Sequence, residues 1–348
     1  MKLNIFESVP KGFLDLLPNE MFKVLPGPSL IRFRGKEEAP LFLATLLHGN
    51  EPTGIQAIQK LIKKYQAEDG ILPRRLDVFV GNVEAAKTNE RRFSNQPDYN
   101  RIWSGGSLPE NNLAREVISV LKNSGVFASI DIHNTSGQNP HYACINRLDA
   151  PFINLARLFS QTLVYFTRPK EVLSSAMAEF CPSITIESGM PGDPYGVQHV
   201  FEFLEKCLNM KQIPPDLDGK ESLYVYHSIA RIFVPPNSRI GFDAHSENKD
   251  FCFIDNLDQQ NFAELPESTL MGWRHNPKLK LSVIDENDQE VESQYIDYND
   301  KEIRLKRPVV PSMFSTQEKI VHQDCLGYLM ERFALPATAN SCPPADPL

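Results

Sequence analysis

No stretch of the 348 residues approaches the roughly 18 to 20 apolar residues that a membrane-spanning helix requires, so a membrane protein is not expected. There is no dense Lys/Arg block either. With 36 basic and 44 acidic side chains the formal charge is −8, which argues against general nucleic-acid binding by phosphate neutralisation. Local clefts are another matter, because a few arginines can dominate one of them. The six cysteines (Cys144, Cys181, Cys207, Cys252, Cys325 and Cys342) show no Cys-x-x-Cys and no regular spacing. That pattern reads as reduced thiols in a cytoplasmic protein rather than a disulfide framework. Charge enters at Lys2 and Glu7, too early for a secretory signal peptide. No internal repeat or low-complexity tract is present.

What is there is ordinary globular material, 41% hydrophobic and 23% charged, in a chain long enough to bury a core without disulfides or a structural metal. At about 150 residues per domain, the length suggests two domains or one large one. Leu41–Leu47 is a continuous apolar run, as in a strand buried on both faces. Pro52 suits a first helical residue, and Ile55, Ile58, Leu61, Ile62 and Tyr65 follow at helical spacing. Further strands are expected at Leu76–Val80, Ala128–Ile132 and Ser183–Ile186, with helices around Leu113–Leu121, from near Phe152, and over Val197–Leu208. This alternation predicts an α/β fold: a mixed, largely parallel sheet flanked by helices over residues 1–210. The stretch Gln212–Gly219 has linker chemistry, and strand-like pieces at Leu223–Val234, Lys278–Ile284 and Glu302–Leu305 predict a smaller β-rich domain over 211–348. The Pro/Ala/Asp-rich tail after Ala334 is expected to be loosely ordered.

Three polar residues stand where the predicted strands end: His48 after 41–47, His133 after 128–132, and Glu187 after 183–186. In an open parallel sheet, ligands bind in the crevice outside the carboxyl ends of the strands. Glu51, three residues after His48, can face the same point. Two histidines and a carboxylate form a recognised catalytic zinc set with a position left for water, and Glu187 is then free to act as general base. A cationic set follows the strand ending at Asn82: Arg91-Arg92-Phe93, then Asp98-Tyr99-Asn100-Arg101-Ile102-Trp103. An arginine beside an asparagine suits bidentate recognition of a carboxylate, and a further arginine suits an oxyanion. Asp131, two residues before His133, shares its face of the strand and is a candidate to orient it.

The segments His48-Gly49-Asn50-Glu51-Pro52-Thr53-Gly54, Asn100-Arg101-Ile102-Trp103, Asp131-Ile132-His133-Asn134-Thr135 and Ile186-Glu187-Ser188-Gly189 together resemble the succinylglutamate desuccinylase/aspartoacylase family, which is related to the zinc carboxypeptidases. The resemblance covers roughly residues 40 to 200. It implies one Zn2+ held by His48, Glu51 and His133. Glu187 would activate water and pass the proton to the leaving amine, Arg91 would polarise the scissile carbonyl, and Asn100 with Arg101 would hold the substrate carboxylate. His133-Asn134-Thr135 is closer to the aspartoacylase version than to the desuccinylase one. Two departures bear on substrate. Ser174-Ser175-Ala176-Met177-Ala178 stands where aspartoacylases carry an arginine for aspartate's second carboxylate, with Arg168 too far upstream, and Thr316-Gln317 stand where a substrate-contacting Tyr is expected.

The expected function is therefore a cytoplasmic zinc-dependent deacylase of a small, anionic N-acyl amino acid, without nucleic-acid or membrane partners; a homo-oligomer is compatible with the sequence. A zinc carboxypeptidase cutting a C-terminal or cell-wall-type peptide is the alternative. A zinc-binding or ligand-sensing protein without catalysis is a third reading, opposed by Glu187, since a binding-only site needs no base.

Overall fold

The computed structural model describes residues 2–68, 70–217, 223–243 and 248–335. The end of the expected linker (218–219), nearly all of the tail after Ala334, His245 and Cys342 lie outside them. The chain divides into two compact units, one built on Met1–Asn134 and His141–Val225 and the other on Thr135–Pro140 and Tyr226–Phe333.

The first unit runs β1 (Asn4–Phe6), β2 (Ser29–Phe33), β3 (Gly35–Thr45), α1 (Thr53–Glu68), β4 (Leu72–Val80), α2 (Val83–Lys87), α3 (Pro109–Lys122), β5 (Ala128–His133), β6 (Tyr142–Ile145), α4 (Ala150–Ala156), β7 (Thr162–Tyr165), α5 (Leu173–Met177), β8 (Ser183–Glu187) and α6 (Pro194–Asn209). Its strands are ordered β1-β2-β4-β3-β5-β8-β6-β7. The β2–β4 and β6–β8 pairs are antiparallel and the other described ladders parallel, so the sheet is mixed and largely parallel as expected. Strand alternation divides its side chains between two faces. Phe42, Ala44 and Phe79 join Leu113, Val117 and Leu121 of α3 in one buried cluster. On the opposite face Gly54, in the first turn of α1, lies so close to Thr45 and Ile132 that a Cβ there would collide with both.

Two local details differ from the sequence reading. The apolar run 41–47 stops being strand at Thr45, because Leu46 turns into the left-handed region (φ 52°). Leu46 and Leu47 stay buried all the same, which is why composition alone extends the strand. His133 and Glu187 are the last residues of β5 and β8 rather than the residues after them.

The second unit is β-rich: β9 (Tyr224–Phe233), β10 (Ile240–Gly241), β11 (Phe251–Phe253), β12 (Leu270–Arg274), β13 (Ser282–Asp285), α7 (Glu292–Tyr295), β14 (Ile296–Asn299), β15 (Glu302–Leu305), β16 (Val310–Ser312), α8 (Glu318–Gln323) and β17 (Gly327–Arg332). A five-stranded sheet follows the order β10-β11-β12-β15-β14, and β9 pairs antiparallel with both β13 and β17. The core gathers Ile232, Phe251, Phe253, Val283, Phe314 and Leu329. Residues 135–140 cluster with this unit through specific bonds: the N–H of Met313 donates to Asn139 Oδ1 (3.0 Å) and Ser315 Oγ donates to the Ser136 carbonyl (3.0 Å). Among the described residues the five cysteines are free and buried, and no helix is long and apolar enough to cross a membrane.

Candidate active site

The turn after β3 places His48 and Glu51. Gly49 has no room for a side chain, since a Cβ would run into the backbone of Ala85 and Ala86 in α2. The Gly49 N–H donates to the Arg91 carbonyl (3.2 Å) and the Glu51 N–H to the His48 carbonyl (3.2 Å), which fixes the turn between two elements. His133 reaches the same point from the end of β5. Glu51 Oε1 lies 2.8 Å from His48 Nδ1 and Oε2 lies 2.7 Å from His133 Nδ1. The ligand-type atoms of the three side chains fall within 4.8 Å of one another, and all three are buried.

The outer nitrogens face carboxylates. His48 Nε2 is hydrogen-bonded to Asp98 Oδ1 at 3.0 Å, a bond in which the carboxylate can only accept. Nδ1 faces Glu51 in the same way; with a cation among the three side chains, the Asp98 bond would keep the proton on Nε2 and leave Nδ1 to bind it. His133 Nε2 lies 2.9 Å from Asp131 Oδ2, although neither Asp131 oxygen closes a well-angled hydrogen bond. Burial alone would raise the Glu51 pKa, but His48 and His133 outweigh it and hold the carboxyl far below its ordinary value. Burial would likewise lower His133, yet Asp131 and Glu51 raise it well above the ordinary histidine value. Two imidazole nitrogens and a carboxylate among further buried carboxyl groups are a donor set that fits a divalent cation.

Glu187 stands directly across the β5–β8 ladder from His133 in parallel register. It is 7% exposed, and its Oε2 has no hydrogen-bond partner. Burial pushes its pKa well above the ordinary carboxylate value, and the charges of Glu51 and Asp131 act in the same direction, against His133 and Arg91. A carboxyl in this state can take up and give back a proton.

The segment between α2 and α3 supplies the cationic wall. Arg91 turns inward: its Nη2 lies 3.0 Å from Asp98 Oδ2 and its Nη1 3.6 Å from Glu51 Oε1. Arg92 turns away and donates to the backbone carbonyls of Phe93 (3.4 Å) and Gln96 (3.1 Å). Asp98 ties the arrangement together by accepting the Asn100 N–H (2.7 Å) as well as bonding His48 and Arg91. Burial would raise its pKa, but His48 and Arg91 keep the carboxyl well below its ordinary value. Asn100 is buried, its Oδ1 accepting the Leu173 N–H (3.0 Å) and its Nδ2 lying 3.3 Å from His133 Nε2. The half-buried Arg101 donates from Nη1 to the Asn100 carbonyl (2.9 Å).

The structure thus brings His48, Glu51, His133, Arg91 and Asn100 into direct contact, with Glu187 beside His133 and Arg101 next to Asn100. Sequence reasoning gave Asn134 no role, yet it bonds to the turn carrying Glu51 and to the residues after Glu187. Only its place directly after a strand-end histidine hinted at this.

A largely parallel α/β sheet that gathers two histidines, a glutamate and an unpaired buried carboxyl at and beyond its strand ends is an arrangement suited to metal-dependent hydrolysis. Residues 40–195 are similar to the sequence model of the succinylglutamate desuccinylase/aspartoacylase catalytic domain. That likeness supports an enzyme of the deacylase kind. No curated protein sequence matches the chain. Among solved structures, the succinylglutamate desuccinylase of Chromobacterium violaceum is 16% identical with a TM-score of 0.54, covering 86% of this chain and 87% of that one. The succinylglutamate desuccinylase of Vibrio cholerae is 14% identical with a TM-score of 0.55, covering 84% and 81%. The product-bound ectoine utilization protein EutE (DoeB) of Ruegeria pomeroyi is 11% identical with a TM-score of 0.51, covering 88% and 84%. At these identities the structural likeness is one of fold.

Proposed function

We propose that the protein is a zinc-dependent hydrolase that removes the acyl group from a small, anionic N-acyl amino acid. The observation that carries this reading is the unpartnered, buried Oε2 of Glu187 beside a cluster of His48, Glu51 and His133. His48 Nδ1, Glu51 and His133 Nδ1 would hold the zinc ion, which when bound supplies the Lewis acidity that activates water and polarises a carbonyl. Glu187 takes the proton of the attacking water and returns it to the leaving amine. Arg91, held by Asp98, sets its guanidinium where an oxyanion develops. Asn100 and Arg101 receive the substrate carboxylate, for which the planar guanidinium is a bidentate partner. The net charge of −8 favours neither nucleic acid nor an anionic membrane as partner, and the working compartment is the cytoplasm in this reading.

The test is primary-amine release by zinc-loaded protein from N-acetyl, N-succinyl and N-formyl amino acids and from dipeptides, with Glu187→Gln alongside. Release from one acyl series, abolished in the variant, is the expected outcome. Release from peptides alone would replace the deacylase reading with a carboxypeptidase one.

A further inference from the structure

Asn134 sits immediately after His133 and is 3% exposed. Its backbone N–H points at Glu51 Oε2 (3.3 Å). Its side-chain Oδ1 accepts the N–H of Thr53, the first residue of α1 (3.2 Å). The Nδ2 donates to Thr53 Oγ1 (2.8 Å) and to the Gly189 carbonyl (2.8 Å), with Ser188 Oγ at 3.3 Å. Both amide hydrogens are thus used, one on each side. On the Glu187 side, Ser188 bonds back to the His133 carbonyl through its N–H (3.0 Å) and its Oγ (2.6 Å). Gly189 adopts φ 75°, a left-handed conformation that favours glycine, with His141 and Asp193 close to where a Cβ would stand.

We infer that Asn134 is a positioning residue that couples the turn bearing Glu51 to the strand end bearing Glu187, so that occupation of the metal cluster sets the placement of the base. The inference deepens the deacylase reading and rests on it for what Glu187 does; the coupling itself needs no substrate. Only an amide of this length serves. Aspartate keeps the acceptor for the Thr53 N–H but offers no donor to the Gly189 carbonyl, and in a buried site that carbonyl is then left unsatisfied.

The experiment is hydrogen–deuterium exchange with and without zinc, read on the peptide covering 187–193, in the native full-length protein and in Asn134→Asp. Zinc is expected to slow exchange there in the native protein and to leave it unchanged in the variant, with zinc affinity within about tenfold of native. Where a substrate is turned over, kcat should fall about 10- to 100-fold with KM within about twofold, as a misplaced reacting group predicts. Equal zinc-dependent protection in both proteins overturns the coupling, and so does an absent effect in the native protein. Should Asn134→Asp not fold, Thr53→Ala removes a single acceptor and is expected to weaken the zinc-dependent protection; full protection in it overturns the inference. A native protein inert toward every acyl amino acid would sink the deacylase reading, while the exchange measurement still decides on Asn134.

Discussion

In the first unit the adjoining strands β5 and β8 end on His133 and Glu187, both buried, and three further carboxyl groups (Glu51, Asp98 and Asp131) crowd the same volume. In the second unit β11 reads Phe251-Cys252-Phe253, and its neighbours in the core are Ile232, Val283 and Leu329. Taking carboxylates out of water is costly unless they are paired and hydrogen-bonded, whereas burying phenylalanine is favourable by itself. The first unit therefore holds buried polar groups that are kept in place by mutual ion pairs and hydrogen bonds, with Glu187 Oε2 left unpartnered. The second unit contributes a conventional apolar core. Under the proposed function, catalysis and stability fall to separate sets of residues, and substitutions should sort accordingly.

The largest effect is expected on the catalytic side of that division. Glu187→Gln should lower kcat by about 10²- to 10⁴-fold, the usual range for a general base, while zinc affinity stays within a few-fold. Steady-state kinetics beside a metal titration checks this; turnover within tenfold of native would mark the carboxyl as structural. On the other side, Phe251→Ala should cost about 3–5 kcal/mol in denaturant unfolding and leave metal affinity unchanged in the folded fraction. A weakened metal site in folded Phe251→Ala protein would break the separation. A smaller change is expected from Asp98→Asn, which removes the carboxylate from His48 Nε2 and Arg91: metal affinity should drop about 10- to 100-fold, read by competition with a chromophoric chelator. Native affinity in that variant would leave Asp98 as a turn residue alone. The smallest is Arg332→Ala, which removes an ion pair with Glu264 whose two side chains are 61% and 64% exposed. It should shift stability by less than about 1 kcal/mol and activity not at all.

The site was more legible in the sequence than the second unit was, for a physical reason. His48 follows a long apolar run, and His133 and Glu187 each follow a short strand-like piece after an isoleucine, so all three mark the carboxyl ends of expected strands. Arg91 and Arg92 were not separable in that way: which guanidinium turns inward depends on Asp98, seven residues beyond Arg91, and on carbonyls at Phe93 and Gln96. Asn134 was equally opaque, because its partners Thr53 and Gly189 lie far from it along the chain. In the second unit the expected pieces match β9 and β15 closely, whereas the piece Lys278–Ile284 meets β13 only over Ser282–Ile284, since Lys278–Leu281 precede that strand. The remaining strands escaped. β10 spans two residues and β11 and β16 three each, too short for period-two alternation to emerge.

Along β5, Ser129, Asp131 and His133 point to one side and Ala128, Ile130 and Ile132 to the other, although every one of the six is buried. A slip of one residue against β3 or β8 would turn Ile130 and Ile132 toward the carboxyl groups of the site and drive Asp131 and His133 into the packing around Gly54. The polar stripe thus acts during folding as a registration mark. An interior strand that hydrophobicity alone would let slide is held to one alignment, because a single pairing keeps both charges out of the oil.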